Sequence, residues 1–144
     1  MSPGPLKLPC HCGTLRQAAR AVTSIYDARL APHGIRITQF TILMALYGVE
    51  AVSMRGLSDA LLLDQTTLSR TLATLRARKL VRSQPDREDK RVRLWSLTRT
   101  GEKLYEVCLP DWEAAQGELA RHSGKGDLQA FSNEVYQLTE ALAG

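Results

Sequence analysis

No apolar stretch in this chain approaches the ~18 residues that a bilayer-spanning helix needs, and its opening residues, MSPGPLKLP, carry no apolar core of a secretory signal. These two absences argue against membrane insertion and export, so the cytoplasm is the expected compartment. Cysteine is scarce as well. Three in 144 residues is an odd number and makes no disulfide framework. The usual catalytic signatures are missing too: there is no HExxH, GxSxG, P-loop or GxGxxG, and His11, His33 and His122 are scattered. The carboxylates of PDRED are crowded by arginines on a turn rather than set in a cleft. Enzyme chemistry is therefore not expected, and no cofactor is required.

What remains is an ordinary globular composition, 44% hydrophobic and 24% charged, long enough for one domain with its own core. The net charge of +4 is unevenly spread. Between Arg55 and Lys103 there are 12 Lys/Arg against 6 Asp/Glu, a net of +6, whereas the rest has 7 against 9, a net of −2. A basic excess confined to one central segment is the footprint of a nucleic-acid-contacting module.

Hydrophobic spacing divides the chain further. Residues 1–12, with three prolines, read as a flexible N-terminal arm. From Gly13, the positions Leu15, Ala18, Ala19, Val22, Ile25, Tyr26 and Leu30 recur at helical spacing. APHG stops that helix, and Thr38 is a candidate N-cap for a buried second one, QFTILMALYG. VSMRGLSDALLL predicts a short strand and a short helix packed through Leu57, Ala60 and Leu61. In DQTTLSRTLATLRARKL, Asp64 suits an N-cap and Leu68, Leu72 and Leu75 form a buried stripe. Two extended runs, VRSQ and VRLWSL, flank the charged turn PDREDKR and predict a basic hairpin.

A long helix follows, with Leu104, Val107, Cys108, Trp112, Ala115 and Leu119 inward and a kink or short break at Pro110. The last helix steps through Leu128, Phe131, Val135, Leu138 and Leu142 at spacings of 3, 4, 3 and 4, a seam suited to packing on another helix.

The predicted fold is mainly α with a small β-hairpin wing: a winged helix-turn-helix over residues 38–100, flanked by dimerisation helices over 13–37 and 101–144. In such a module the second helix of the pair enters the major groove with its N-terminal side chains at the base edges. Gln65, Thr66, Thr67, Ser69 and Arg70 supply small hydroxyls, an amide and a guanidinium there. The hairpin tip offers Arg87, Lys90 and Arg91 to a minor groove or to flanking phosphates.

From about Cys12 onward the sequence resembles the MarR family of transcription regulators. GIRITQFTILMAL carries the likeness, as does the run from LSDALLLDQTTLSRTL to LTRTG. The wing DREDKR carries it most specifically. The family commonly has a proline where this chain has Arg87 and an arginine where it has Lys90, while Asp86, Asp89 and Arg91 keep the pattern. The resemblance implies that Asp86 and Asp89 belong to the wing bracing, with Asp89 holding the wing arginine, and that Arg91 reaches the minor groove. It also implies a homodimer on double-stranded DNA with a pseudo-palindromic operator, and repression as the usual outcome. A non-specific nucleic-acid-binding protein is the alternative, to be told apart by steep salt dependence without site preference.

LPCHCGTLRQ adds two thiols where the first helix begins. By resemblance to the organic-hydroperoxide sensors of the family, Cys12 falls at their reactive cysteine and Tyr26 at one of the tyrosines that hydrogen-bond it. Arg16 stands where the other tyrosine would be. A second reading is a soft-metal or metalloid site, with Cys108, of the same or the partner subunit, joining Cys10 and Cys12 to bind a thiophilic ion, and His11 replacing one sulfur for zinc. A third makes Cys108 a plain core residue. The resemblance also allows a small aromatic acid as effector, in a space lined by Phe40, Tyr47, Trp95, Trp112 and His33, with Arg16 and Arg20 as further candidates for its carboxylate.

Overall fold

The computed structural model describes residues 2–124 and 126–144. Its first helix, α1 (His11–Leu30), starts two residues before Gly13 because Cys10 takes the N-cap position. The Cys10 backbone is extended and its Sγ accepts the Gly13 N–H at 3.4 Å. The residues before it fold back on the helix rather than trailing free. Gln17 Nε2 donates to the Leu6 carbonyl at 3.1 Å, and Leu8 lies over Gly13.

One 3-10 turn (Ala31–His33) and Gly34, in the left-handed region at φ +68°, lead into α2 (Ile37–Leu46). Thr38 is not its cap. Arg36 is the N-cap residue and donates its N–H to Gln39 Oε1, while Asp27 of α1 accepts the Ile37 N–H at 2.8 Å. The opening N–H groups of α2 are thus served partly by another helix, which local sequence does not reveal. Phe40, Ile42, Leu43 and Leu46 are buried, as an all-round apolar helix requires.

Strand β1 (Val52–Ser53) runs into α3 (Met54–Leu61), whose Ser53 cap accepts the Gly56 N–H. Leu57 is fully buried and Leu61 half-buried, but Ala60, expected inside, is exposed. The turn to α4 puts Leu62 at φ +50° and is tied by the Ser58 hydroxyl, which donates to the Leu63 carbonyl at 2.6 Å. In α4 (Gln65–Ala77), Leu68, Leu72 and Leu75 are completely buried.

Strands β2 (Val81–Pro85) and β3 (Arg93–Leu97) form the hairpin, and β1 adds to the other side of β3, giving the antiparallel order β1-β3-β2. In this register Ser83 faces Trp95 and Val52 also pairs with Trp95.

Helix α5 (Arg99–His122) continues unbroken through the exposed Pro110, so the expected break is absent; the proline forfeits only its own N–H bond to the preceding turn. Its inner stripe is Leu104, Cys108, Trp112 and Ala115; Val107 lies at the edge and is 58% exposed, against expectation. Alongside α1 it is held by Arg29–Glu118 at 3.0 Å, His33–Asp111 at 2.6 Å and the Tyr26 hydroxyl, which donates to Gln116 Oε1. Helix α6 (Leu128–Ala143) has no buried residue at all.

The hydrophobic core is continuous through Leu30, Phe40, Leu43, Leu57, Leu72, Val81, Leu97 and Cys108. Its closure depends on Gly101. A Cβ there would collide with the Leu80 carbonyl oxygen, and the Thr98 hydroxyl both accepts the Gly101 N–H and donates to the Lys79 carbonyl. The LTRTG motif is therefore the joint between wing and α5.

Candidate nucleic-acid interface

Helix α4 projects from the core with its polar face outward. Asp64 caps it: one carboxylate oxygen accepts the Thr67 N–H at 2.9 Å and the other the Thr67 hydroxyl at 2.6 Å. Those bonds hold the Asp64 carboxyl below its ordinary value of 3.8, the Thr67 side-chain bond foremost. Gln65, Thr66, Ser69 and Arg70 are exposed, and their side chains form no hydrogen bond to other protein groups among the described residues. Thr67 is exposed as well, but its hydroxyl proton is committed to the cap. It contributes mainly to the shape of the helix start.

The wing tip is built as firmly. Asp86 donates its N–H to the Val92 carbonyl at 2.8 Å, closing the hairpin, and its carboxylate accepts the Glu88 N–H. Asp89 grips Arg91 through both carboxylate oxygens, at 3.0 Å to Nε and 3.2 Å to Nη2, and also accepts the Arg91 N–H. The Arg91 fork keeps the Asp89 carboxyl below 3.8. The Arg91 side chain is still 91% exposed. It is aimed without being covered, the arrangement that lowers the entropic cost of an arginine contact. Arg87 and Lys90 are exposed beside it.

Arginines that no motif marked extend this surface. Arg36 shares one groove with Thr38, Gln39, Arg70, Thr71 and Thr74. A neighbouring cavity of about 700 Å³ adds Asp27 and Arg78, whose Nη1 donates to the Gly34 carbonyl at 2.7 Å. For Arg78 the basic excess of the central segment was a hint; Arg36 lies outside that segment.

The thiols lie elsewhere. Cys10 and Cys12 are exposed at one end of α1, whereas Cys108 packs in the core with Leu30, the last residue of that helix. A 20-residue helix is ~30 Å long, so the three thiols do not meet within one chain. No group of three or more His, Cys, Asp or Glu side chains converges among the described residues. A single-chain site for a thiophilic ion at Cys10, Cys12 and Cys108 is therefore not formed. Burial, then the Asp111 charge, push the Cys108 thiol up, which suits an inert core residue. Tyr26 is also out of reach of Cys12 in the same chain, since fourteen helical residues span ~21 Å.

Of the aromatic residues expected around an acid effector, Phe40, Tyr47 and Trp112 belong to one cluster joined by Tyr105, whose ring lies 4.3 Å from that of Tyr47, while Trp95 stands apart in the wing sheet. Phe40 is fully buried, stacked on Tyr105 and close to Trp112 at ring distances of 5.2 and 6.3 Å. Tyr47 donates to Glu106, His33 pairs with Asp111, and Trp95 belongs to the wing sheet.

A capped recognition helix in a tri-helical core, followed by a braced basic wing, defines a winged helix-turn-helix protein of the nucleic-acid-binding class. The MarR family profile matches residues 33–92, the span from the 3-10 turn after α1 to the wing. The transcriptional regulator HosA of Escherichia coli O111:H- is 32% identical over 104 residues, covering 72% of this chain and 76% of that protein. The chain belongs to the MarR family of transcriptional regulators. It is also similar to the organic hydroperoxide resistance transcriptional regulator of Bacillus subtilis, 29% identical over 91% of this chain and 88% of the relative. The crystal structure of the M. tuberculosis transcriptional regulator MOSR in complex with DNA superposes with a TM-score of 0.83 at 30% identity, covering 92% of this chain and 96% of that one. Among the described residues no helix is long and apolar enough to cross a membrane.

Proposed function

We propose that the protein binds double-stranded DNA as a homodimer, reads a pseudo-palindromic operator and acts as a repressor released by oxidation at Cys12. The observation that carries the DNA-binding reading is the pairing of two preset contact elements. Gln65, Thr66, Ser69 and Arg70 stand exposed on a capped helix, and Arg91 is held by Asp89 at the tip of the adjoining wing. The first suits base edges in the major groove, the second the narrow minor groove beside it.

Dimerisation follows from the unpartnered ends. Phe131, Leu138 and Leu142 on α6 and Leu15 on α1 are all more than two-fifths exposed, apolar and helically spaced. A second copy covers them by symmetry, and two-fold symmetry sets two recognition helices about one helical turn of DNA apart.

For the signal, Cys12 is exposed in the first turn of α1, and a similar relative is named for organic hydroperoxide resistance. Attack of the Cys12 thiolate on a hydroperoxide breaks the O–O bond, giving a sulfenic acid and an alcohol. Tyr26 assists only from the other subunit, because α1 keeps the two apart within one chain. Oxidation at this end favours a dimer with a different spacing of recognition helices, and affinity falls.

Mobility-shift titrations on the protein's own promoter region test both parts. Arg91→Ala should weaken binding about tenfold; unchanged affinity would remove the wing from the interface. Equal binding to random duplex would favour a non-specific binder instead. Cys12→Ser should bind DNA normally and no longer release it on hydroperoxide, and a variant that still releases defeats the thiol assignment.

A further inference from the structure

Between the recognition helix and the wing runs a cleft that the sequence does not announce. It has a volume of about 520 Å³ and is lined by Ser69, Ala73, Arg76 and Ala77 of α4 and by Trp95 of β3. No carboxylate lines it. Arg76 is exposed and forms no ion pair among the described residues. Trp95 is only 7% exposed, yet its indole N–H has no hydrogen-bond partner, and neither does the buried hydroxyl of Ser83, which faces Trp95 across the β2–β3 ladder. Buried donors left unpaired are uncommon in folded proteins and call for a reason. One of them, Trp95, lines the cleft, and with the unpaired Arg76 guanidinium and the Ser69 hydroxyl it makes a donor set lacking its acceptor.

Duplex geometry supplies an acceptor at this place. The major and minor grooves are separated by a phosphodiester ridge. With α4 in the major groove and the Arg91 wing tip at the adjoining minor groove, that ridge must pass between helix and wing, over the cleft. We propose that the cleft seats one backbone phosphate of the operator, held by Arg76, with the Trp95 indole N–H donating to it from beneath. The inference rests on the DNA-binding reading above. Ala73 and Ala77, one helical turn apart, leave the strand room that larger side chains would fill. The contact carries no sequence information; it fixes the distance at which the helix and the wing straddle one strand.

Three measurements on the full-length dimer decide it. Arg76→Gln should weaken operator and random duplex alike, by about tenfold, and reduce the slope of log affinity against log salt by about one. Trp95→Phe keeps the ring and removes the N–H; DNA affinity should fall severalfold while the thermal midpoint of the free protein does not fall. A duplex with one neutral methylphosphonate linkage, moved along each strand, should locate one position that weakens the wild type and leaves Arg76→Gln unaffected. An unchanged salt slope in Arg76→Gln, an unchanged affinity in Trp95→Phe, or no such linkage position overturns the inference. Arg91→Ala and Gln65→Ala are run alongside. If they still impair binding the DNA-binding reading stands without the seat, and if no variant alters binding both fail together.

Discussion

The central segment and the terminal helices of this molecule are built to opposite specifications. From α2 to β3 the leucine stripes find their partners within the chain: Leu57, Leu68, Leu72, Leu75 and Leu97 are all buried, and the contact residues stand on a capped helix and a braced turn. At the ends, α6 buries nothing and the first half of α1 is largely exposed, although both carry well-formed apolar seams. One half is finished by a single chain; the other waits for a second copy. The half that meets DNA is therefore rigid in itself, and the half that can be rearranged by a signal is the one whose packing lies between subunits.

The largest expected effect breaks the finished half. Gly101→Ala drives a methyl into the Leu80 carbonyl, where only backbone can yield. It should cost about 3 kcal/mol or more in urea unfolding; a near-neutral result would mean that the wing–α5 joint is not the close approach described here. Next, Leu138→Glu on the exposed seam should leave the secondary structure of each chain intact and raise the dimer dissociation constant by at least about tenfold, as sedimentation would show. Loss of folding instead of dissociation would erase the distinction between the two halves.

A smaller effect is expected from Gln65→Ala, which should reduce the preference for operator over random duplex by about tenfold while changing the affinity for random duplex little. An equal loss on both would make Gln65 a backbone contact. The smallest effect is electrostatic. The carboxyls of Asp64 and Asp89 are held below 3.8 by their bonds to Thr67 and Arg91. Their contribution is present above that ordinary value and is lost as pH falls through the lowered values. The stability difference between wild type and Asp64→Ala should accordingly shrink as pH drops below 3.8, followed by thermal unfolding; a difference that grows there would reverse the sign of the capping argument.

The same contrast explains what could be read from the residues alone. The finished half was legible because its signals are local: Asp64 beside an i, i+4, i+7 leucine stripe, and two β-rich runs around PDREDKR. The MarR resemblance drew on the same stretch. What escaped depends on contacts distant in sequence. The start of α2 is served by Asp27, ten residues upstream on another helix, so Thr38 looked like the cap. Cys12 and Cys108 of one chain cannot share an ion, because Cys12 opens α1 while Cys108 packs in the core with Leu30, the last residue of that helix; only Cys108 of a second copy could join Cys12. Trp95 reads from the sequence as one wall of an effector space, and its unpaired N–H has no trace in composition or spacing. The seam of α6 was visible as a pattern, and its exposure in the single chain gave that pattern its meaning.

Binding stoichiometry decides whether each chain carries a complete DNA-reading half while its terminal helices are completed only by a second copy. Sedimentation of the protein with its full operator and with an isolated half-site duplex gives the number of chains on each. Two chains per operator and at least about tenfold weaker binding to the half-site are expected. One chain per operator, bound as tightly to the half-site, would contradict this division of the chain.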